Sequence, residues 1–162
     1  MLENISLTPH FELSEFVTSR KAREHGISNI PTEEAVANLR RLCENTLEPL
    51  RVALGVPVHI TSGFRTHALN DLLAHSSDRS QHMAGQAADF FVCKGTREEL
   101  IKAFREVLQN PTVDFDQLIL YPGFIHVSYV SKEKNRHGIL KAQGNGKLGY
   151  GRLTLSNALL IS

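Results

Sequence analysis

Apolar positions recur at helical spacing early in the chain and in short continuous or alternating runs later. Val36, Leu39, Leu42, Cys43, Leu47, Leu50 and Leu54 fall on one stripe, which predicts the longest helix over 32–54 with one buried face. Thr32 is placed to cap its start, Glu33 and Glu34 sit where the helix dipole favours acids, and Gly55 follows its end. Pro49 predicts a kink, because it lacks the N–H that the helix ladder needs. A second helix is predicted over 13–25, stopped by Gly26, and a short one over Ala68–Ala74. Thr96 and Glu99 form a capping box for a helix to Gln109 with an apolar face of Leu100, Ile101, Phe104, Val107 and Leu108. Val56–Thr61 and Ala87–Val92 read as strands. Gln117–Tyr121 and Phe124–Val130 read as a hairpin closed by Pro122-Gly123. Helices early and strands late predict an α+β fold, with helices packed on a small, largely antiparallel sheet. No repeat or linker interrupts the pattern, so one domain over 1–162 is expected, with a basic, loop-rich segment at 131–162.

Composition narrows the function classes. The chain has 162 residues, 41% of them hydrophobic and 22% charged, ordinary values for a globular domain with a real core. Its net charge of +1 gives no overall field toward nucleic acid. Lys132, Lys134, Arg136, Lys141, Lys147 and Arg152 against Glu133 read as a solvated surface, or as a weak attraction to an anionic cell wall. Cys43 and Cys93 lie at neither metal nor redox spacing and are expected as buried free thiols, which fits a reducing compartment. Residues 1–10 have neither a basic start nor an apolar run, and no stretch is long and apolar enough to cross a membrane. A monomer made in the cytoplasm without a signal peptide is expected.

Two acid–base side chains interrupt apolar runs. Asp89 sits among Ala87, Ala88, Phe90, Phe91 and Val92, and His126 lies within Phe124–Val130. A buried carboxylate needs a cation, a metal or several hydrogen bonds. His82 and Asp89 are seven residues apart. A continuous helix would separate them by about 10 Å, so they can share an ion only if the chain turns, as Gly85 permits. His82, Asp89 and His126 together make a two-histidine, one-carboxylate set that leaves one coordination position open, as a hydrolytic zinc requires. The same residues are equally compatible with a satisfied core histidine and an Asp89–arginine pair. His10, His25 and His137 read as solvated. His59 faces opposite to Val58 and Ile60, and His67 and His75 flank the short helix.

This pattern resembles the M15 family of zinc peptidases, the D-Ala-D-Ala carboxypeptidase group. The family's Ser-x-His-x-x-Gly-x-Ala-x-Asp run is matched by Ser80, His82, Gly85, Ala87 and Asp89. Its last ligand is matched by His126, and its upstream strand and turn by Ile60-Thr61-Ser62-Gly63-Phe64-Arg65. Asn70 and Asp116-Gln117-Leu118-Ile119 also look like family stretches, and the likeness extends from about His10 to Ala142. The resemblance implies a fold shared with the hedgehog signalling domain, zinc as cofactor, and a peptidoglycan stem peptide or D-Ala-ended peptide as substrate. A phage lysin of this kind would be released to the wall at host lysis.

Roles follow on the same footing. Arg65 is the candidate to face a developing oxyanion or grip a substrate carboxylate, with a structural pair to Asp89 or Asp116 as the alternative. Ser80 is a candidate to bond substrate or simply a turn residue. Gln117 is a candidate to bind substrate or orient a ligand. Many relatives carry an acid shortly before the last ligand, whereas this chain has Leu120-Tyr121-Pro122-Gly123. Tyr121 is therefore the expected transition-state stabiliser, and Asp116 a candidate base or support for a histidine. The departure leaves a catalytically weak zinc-binding module of the same fold as the alternative.

Overall fold

The computed structural model describes residues 2–73, 76–143 and 150–162, with the backbone alone for Tyr150. Ala74, His75 and Lys147, which entered the sequence reading, lie outside the described residues. A small antiparallel pair, β1 (Ser6–Thr8) and β2 (Phe11–Glu12), leads into two short helices, α1 (Leu13–Val17) and α2 (Arg20–Glu24). One helix was expected here. It breaks because Thr18 is extended and its Oγ1 donates back to the Ser14 carbonyl at 2.7 Å, while Ser19 accepts from the Ala22 N–H and caps a new helix.

The long amphipathic stretch forms α3 (Glu33–Leu42) and α4 (Glu48–Leu54), joined by a π-helical turn over Cys43–Leu47. The expected kink takes this form because Pro49 offers no N–H to the carbonyl of Asn45, four residues earlier. That carbonyl accepts instead from the Asp114 N–H at 2.9 Å, and Thr46 Oγ1 donates to the Asp114 carbonyl at 2.5 Å. The kink thus ties the helix to the chain just before a strand of the sheet.

The remaining elements are β3 (Val58–Ser62), α5 (His67–Leu72), a 3₁₀ turn (Gln81–Ala84), β4 (Ala87–Val92), α6 (Arg97–Gln109), β5 (Gln117–Leu120), β6 (Ile125–Ser128), β7 (Gly138–Ala142), β8 (Tyr150–Arg152) and α7 (Leu155–Leu159). The segment expected to be loop-rich therefore carries two strands and a helix. Six strands form one sheet in the order β3-β4-β6-β5-β7-β8, antiparallel except for β5 against β7. Helices on a largely antiparallel sheet make the fold α+β. The thiols are free, with Cys43 buried and Cys93 only half-buried.

The sheet has two unlike faces. Ala88, Phe90, Leu118, Leu120, Ile125 and Val127 join Leu39, Leu42, Leu50, Leu100 and Phe104 of the helices in one hydrophobic cluster. On the other face, register places Ser62 beside Asp89, Asp89 beside His126, His126 beside Ile119, and Ile119 beside Leu140. Side chains paired in this way point to the same side of a sheet. Of this row, Asp89, His126, Ile119 and Leu140, from four adjacent strands, line a cleft.

Candidate metal centre and cleft

His82 sits in the 3₁₀ turn, whose start is capped by Ser80 Oγ accepting from the His82 N–H at 3.3 Å. Gly85 ends the turn at φ +71°. A Cβ there would collide with the Ala35 carbonyl of α3, so glycine is required by both conformation and space. Asn38 of α3 donates to the Ala84 carbonyl at 2.8 Å and holds the turn against that helix. β4 then returns Asp89 to His82, and β6 presents His126 from the neighbouring strand.

The three side chains converge. His82 Nε2 lies 3.4 Å and His126 Nδ1 2.8 Å from Asp89 Oδ1, and ligand atoms of all three fall within 4.8 Å of one another. Two donors about 2.0–2.1 Å from a tetrahedral zinc lie about 3.3 Å apart. The His82–Asp89 separation fits that edge, and the His126–Asp89 separation is a hydrogen-bond length about half an ångström shorter. His82 Nδ1 lies 2.7 Å from the Gly63 carbonyl, which accepts its hydrogen and leaves Nε2 with a lone pair toward the cleft. Gly63 is itself pressed against α1, since a Cβ would come within 2.6 Å of the Phe16 carbonyl. The donor set, the tautomer and the burial of His82 at 3% and Asp89 at 8% exposure all suit a metal ion.

Electrostatics agree with the geometry. Burial pushes His82 down and favours neutral imidazole, the ligating form, against the opposing pull of Asp89. Burial works to raise Asp89, but the imidazoles of His126 and His82 beside it outweigh burial and hold the carboxyl well below the usual range. Burial lowers Arg65 while Asp89 and Tyr121 oppose the shift.

The cleft above the centre has a volume of about 730 Å³. Arg65 lines it, with Nε donating to Ser62 Oγ at 3.1 Å and Nη2 lying 3.4 Å from Asp89 Oδ2. Both readings of Arg65 therefore meet in one side chain, which faces the cleft while pairing with Asp89. Tyr121 also lines the cleft and stacks on Phe124 at 4.3 Å between ring centroids. It lies in the hairpin turn, where its N–H donates to the Phe124 carbonyl at 3.0 Å. Ile119, and not Tyr121, stands directly across from His126. Ser80 and Gln117 line the cleft as well, and Ser80 doubles as the turn's cap.

Asp116 requires a correction. It is 1% exposed and does not line the cleft. Its carboxylate accepts from the Arg136 N–H at 2.8 Å, from Arg136 Nε and Nη2, and from Gln81 Nε2 at 2.9 Å. Burial works to raise its pKa, but these bonds outweigh burial and push it down to about 2. A carboxylate so committed is no base near neutral pH, and it holds an arginine and a glutamine instead of a histidine. The histidines expected as solvated also have partners. His10 pairs with Glu48 at 2.7 Å and His137 with Asp114 at 2.9 Å, while His25 Nδ1 lies 3.0 Å from the Lys21 carbonyl.

Sequence reasoning missed Arg136, Arg79 and Gln81, which all line the cleft. The buried Asp116 was the available signal for Arg136, because a carboxylate at the start of a buried strand demands a cation. Among the described residues, Asp89 is the one carboxylate in the cleft lining. A family model described as Peptidase M15 matches residues 9–128, a span that holds His82, Asp89 and His126 and ends before β7. No curated protein matches the chain.

Proposed function

The chain belongs to the peptidase M15 family, and from that premise we propose that it is a zinc-dependent peptidase acting on bacterial cell-wall peptides. The reaction is hydrolysis of a peptide bond, as a D-Ala-D-Ala carboxypeptidase or as a peptidoglycan endopeptidase of the endolysin kind. The observation that carries this reading is the convergence of His82 Nε2, Asp89 Oδ1 and His126 Nδ1 on the floor of an open cleft. Three protein donors and an open side are what a hydrolytic centre needs. Zinc, when bound there, supplies Lewis acidity for a scissile carbonyl.

The chain's own residues supply the rest. Arg65 and Tyr121 present N–H and O–H donors to the oxygen on which charge develops. A phenol titrates near 10, so Tyr121 acts as a donor and not as a base at neutral pH. Gln117 and Ser80 offer hydrogen bonds to the peptide backbone of a substrate. His82 and His126 are committed to the metal, and Arg65 stays charged.

A second reading is favoured by one specific observation. Among the described residues no carboxylate beside Asp89 lines the cleft, so none is placed to carry the proton from water to the leaving amine. A zinc-binding module with weak or no turnover fits that arrangement. Isolated sacculi and short D-Ala-D-Ala peptides, incubated with the chain with and without zinc, separate the two. New amino groups or released D-alanine with zinc alone support the peptidase. Stoichiometric zinc without cleavage of any wall or peptide supports the module.

A further inference from the structure

The pair of buried Asp116 and exposed Arg136 lies outside the metal-binding set, and Arg136 reaches the cleft. Asp116 grips one edge of the guanidinium through Nε and Nη2 and also takes the backbone N–H of the same residue. The Arg136 side chain remains 64% exposed. A guanidinium carries five N–H donors in a planar fork. With the Nε–Nη2 edge taken, Nη1 and the outer hydrogen of Nη2 form a second edge of parallel donors, which suits a carboxylate. The strand after it is fixed too, because the N–H of Gly138, the first residue of β7, donates to the Asp116 carbonyl at 2.9 Å. Such a donor is oriented before any ligand arrives, so little ordering entropy is lost on binding.

Arg79 adds to the same region. It stands two residues before Gln81, which donates to Asp116, and its guanidinium has no ion pair or hydrogen bond among the described residues. Arg65, Arg79 and Arg136 thus line a cleft in which Asp89 is the one lining carboxylate among those residues. Gln117, beside Asp116 in sequence, shares a strand face with Ile119, which pairs with His126. Asp116, which holds the Arg136 guanidinium, precedes Ile119 by three residues, or about 10 Å of strand and roughly three residues of an extended peptide.

We propose that Arg136, supported by Arg79, is a specificity-determining residue that recognises a second carboxylate on the substrate, so that the peptides this cleft takes carry an acidic side group within about three residues of the scissile bond. The proposal rests on the peptidase reading for the peptide nature of the ligand.

The test compares two matched pairs of probes: acetyl-Glu-D-Ala-D-Ala with acetyl-Gln-D-Ala-D-Ala, and acetyl-D-Ala-D-Glu with acetyl-D-Ala-D-Gln. Binding is measured by calorimetry on the full chain stripped of metal, where nothing is turned over, and hydrolysis is measured separately on the zinc-loaded chain. Wild type is expected to prefer the acidic member of at least one pair by about tenfold, or about 1.4 kcal/mol. Arg136→Gln should abolish that preference by weakening the acidic member about tenfold more than the amide member. Arg136→Lys, which keeps the charge without the fork, should retain part of it. No preference in wild type for either pair overturns the proposal. So does equal loss of both members of a pair in Arg136→Gln, which marks a purely structural role. A preference in binding without any hydrolysis leaves the carboxylate site standing and removes the peptidase reading alone.

Discussion

Asp89 and Asp116 are both buried carboxylates, and their partners divide their work. Asp89 shares one oxygen with two histidines and keeps only a long contact to Arg65 on the other, so the donor set can close around a cation. Asp116 is saturated by Arg136 and Gln81. An ordinary aspartate titrates near 3.9, whereas Asp116 is pushed down to about 2. A depressed carboxyl stabilises the fold above the unfolded value, and that stabilisation is lost as pH falls from about 4 through about 2. The difference corresponds to about 2 kcal/mol. Asp116→Asn should therefore lose about that much stability at pH 7 and decline less steeply between pH 4 and 2, as read by denaturant unfolding across pH. An unchanged acid profile would show that the pair contributes nothing. Tyr121→Phe should slow hydrolysis about tenfold, or about 1.4 kcal/mol in barrier, with zinc content unchanged. A full rate in that variant would leave oxyanion stabilisation to Arg65. Asp89 and His126 were legible as candidates because acid–base side chains inside apolar runs are costly and so stand out. Arg136 was not, because it sits within a run of basic residues and its partner is 20 residues away in the chain.

The turn ending at Gly85 is the element that brings His82 and Asp89, seven residues apart, together. It reverses the chain between His82 and Asp89, rests on α3 through Asn38, and admits no Cβ beside Ala35. Gly85→Ala should cost about 2 kcal/mol or more through left-handed strain and the clash, and should weaken zinc binding as the turn shifts. Denaturant unfolding and a competition titration with a zinc chelator measure the two effects. Wild-type stability and affinity in this variant would mean that the turn does not set the centre. Gly85 and the strand after it could be read from the sequence, since glycine and β-branched or aromatic runs act locally. The π turn at Cys43–Leu47 could be anticipated only as a kink. Its form depends on Asp114, a distant residue that satisfies the carbonyl Pro49 leaves free. The break at Thr18 was missed because two hydroxyl side chains, Thr18 and Ser19, outcompete helix continuation locally.

Across the whole molecule, a net charge of +1 conceals an uneven distribution. One sheet face is buried under helices, and the other brings Asp89, His126, Ile119 and Leu140 from adjacent strands into a cleft edged by arginines. No helix among the described residues is long and apolar enough to cross a membrane. The order of strands, and above all β7 lying parallel beside β5, was not legible, because it is set by long-range pairing and not by local pattern. That same pairing carries Arg136 to the cleft, so the cleft's far wall is a property of the assembled sheet. The central proposal is that zinc at His82, Asp89 and His126 makes this cleft hydrolytic. The most direct measurement is a zinc titration of the metal-free chain with cleavage of a D-Ala-D-Ala peptide followed at each point. The rate is expected to rise linearly and level at one zinc per chain, and Asp89→Ala to show neither the rise nor the break. A rate independent of zinc, or an Asp89→Ala titration identical to wild type, would contradict it.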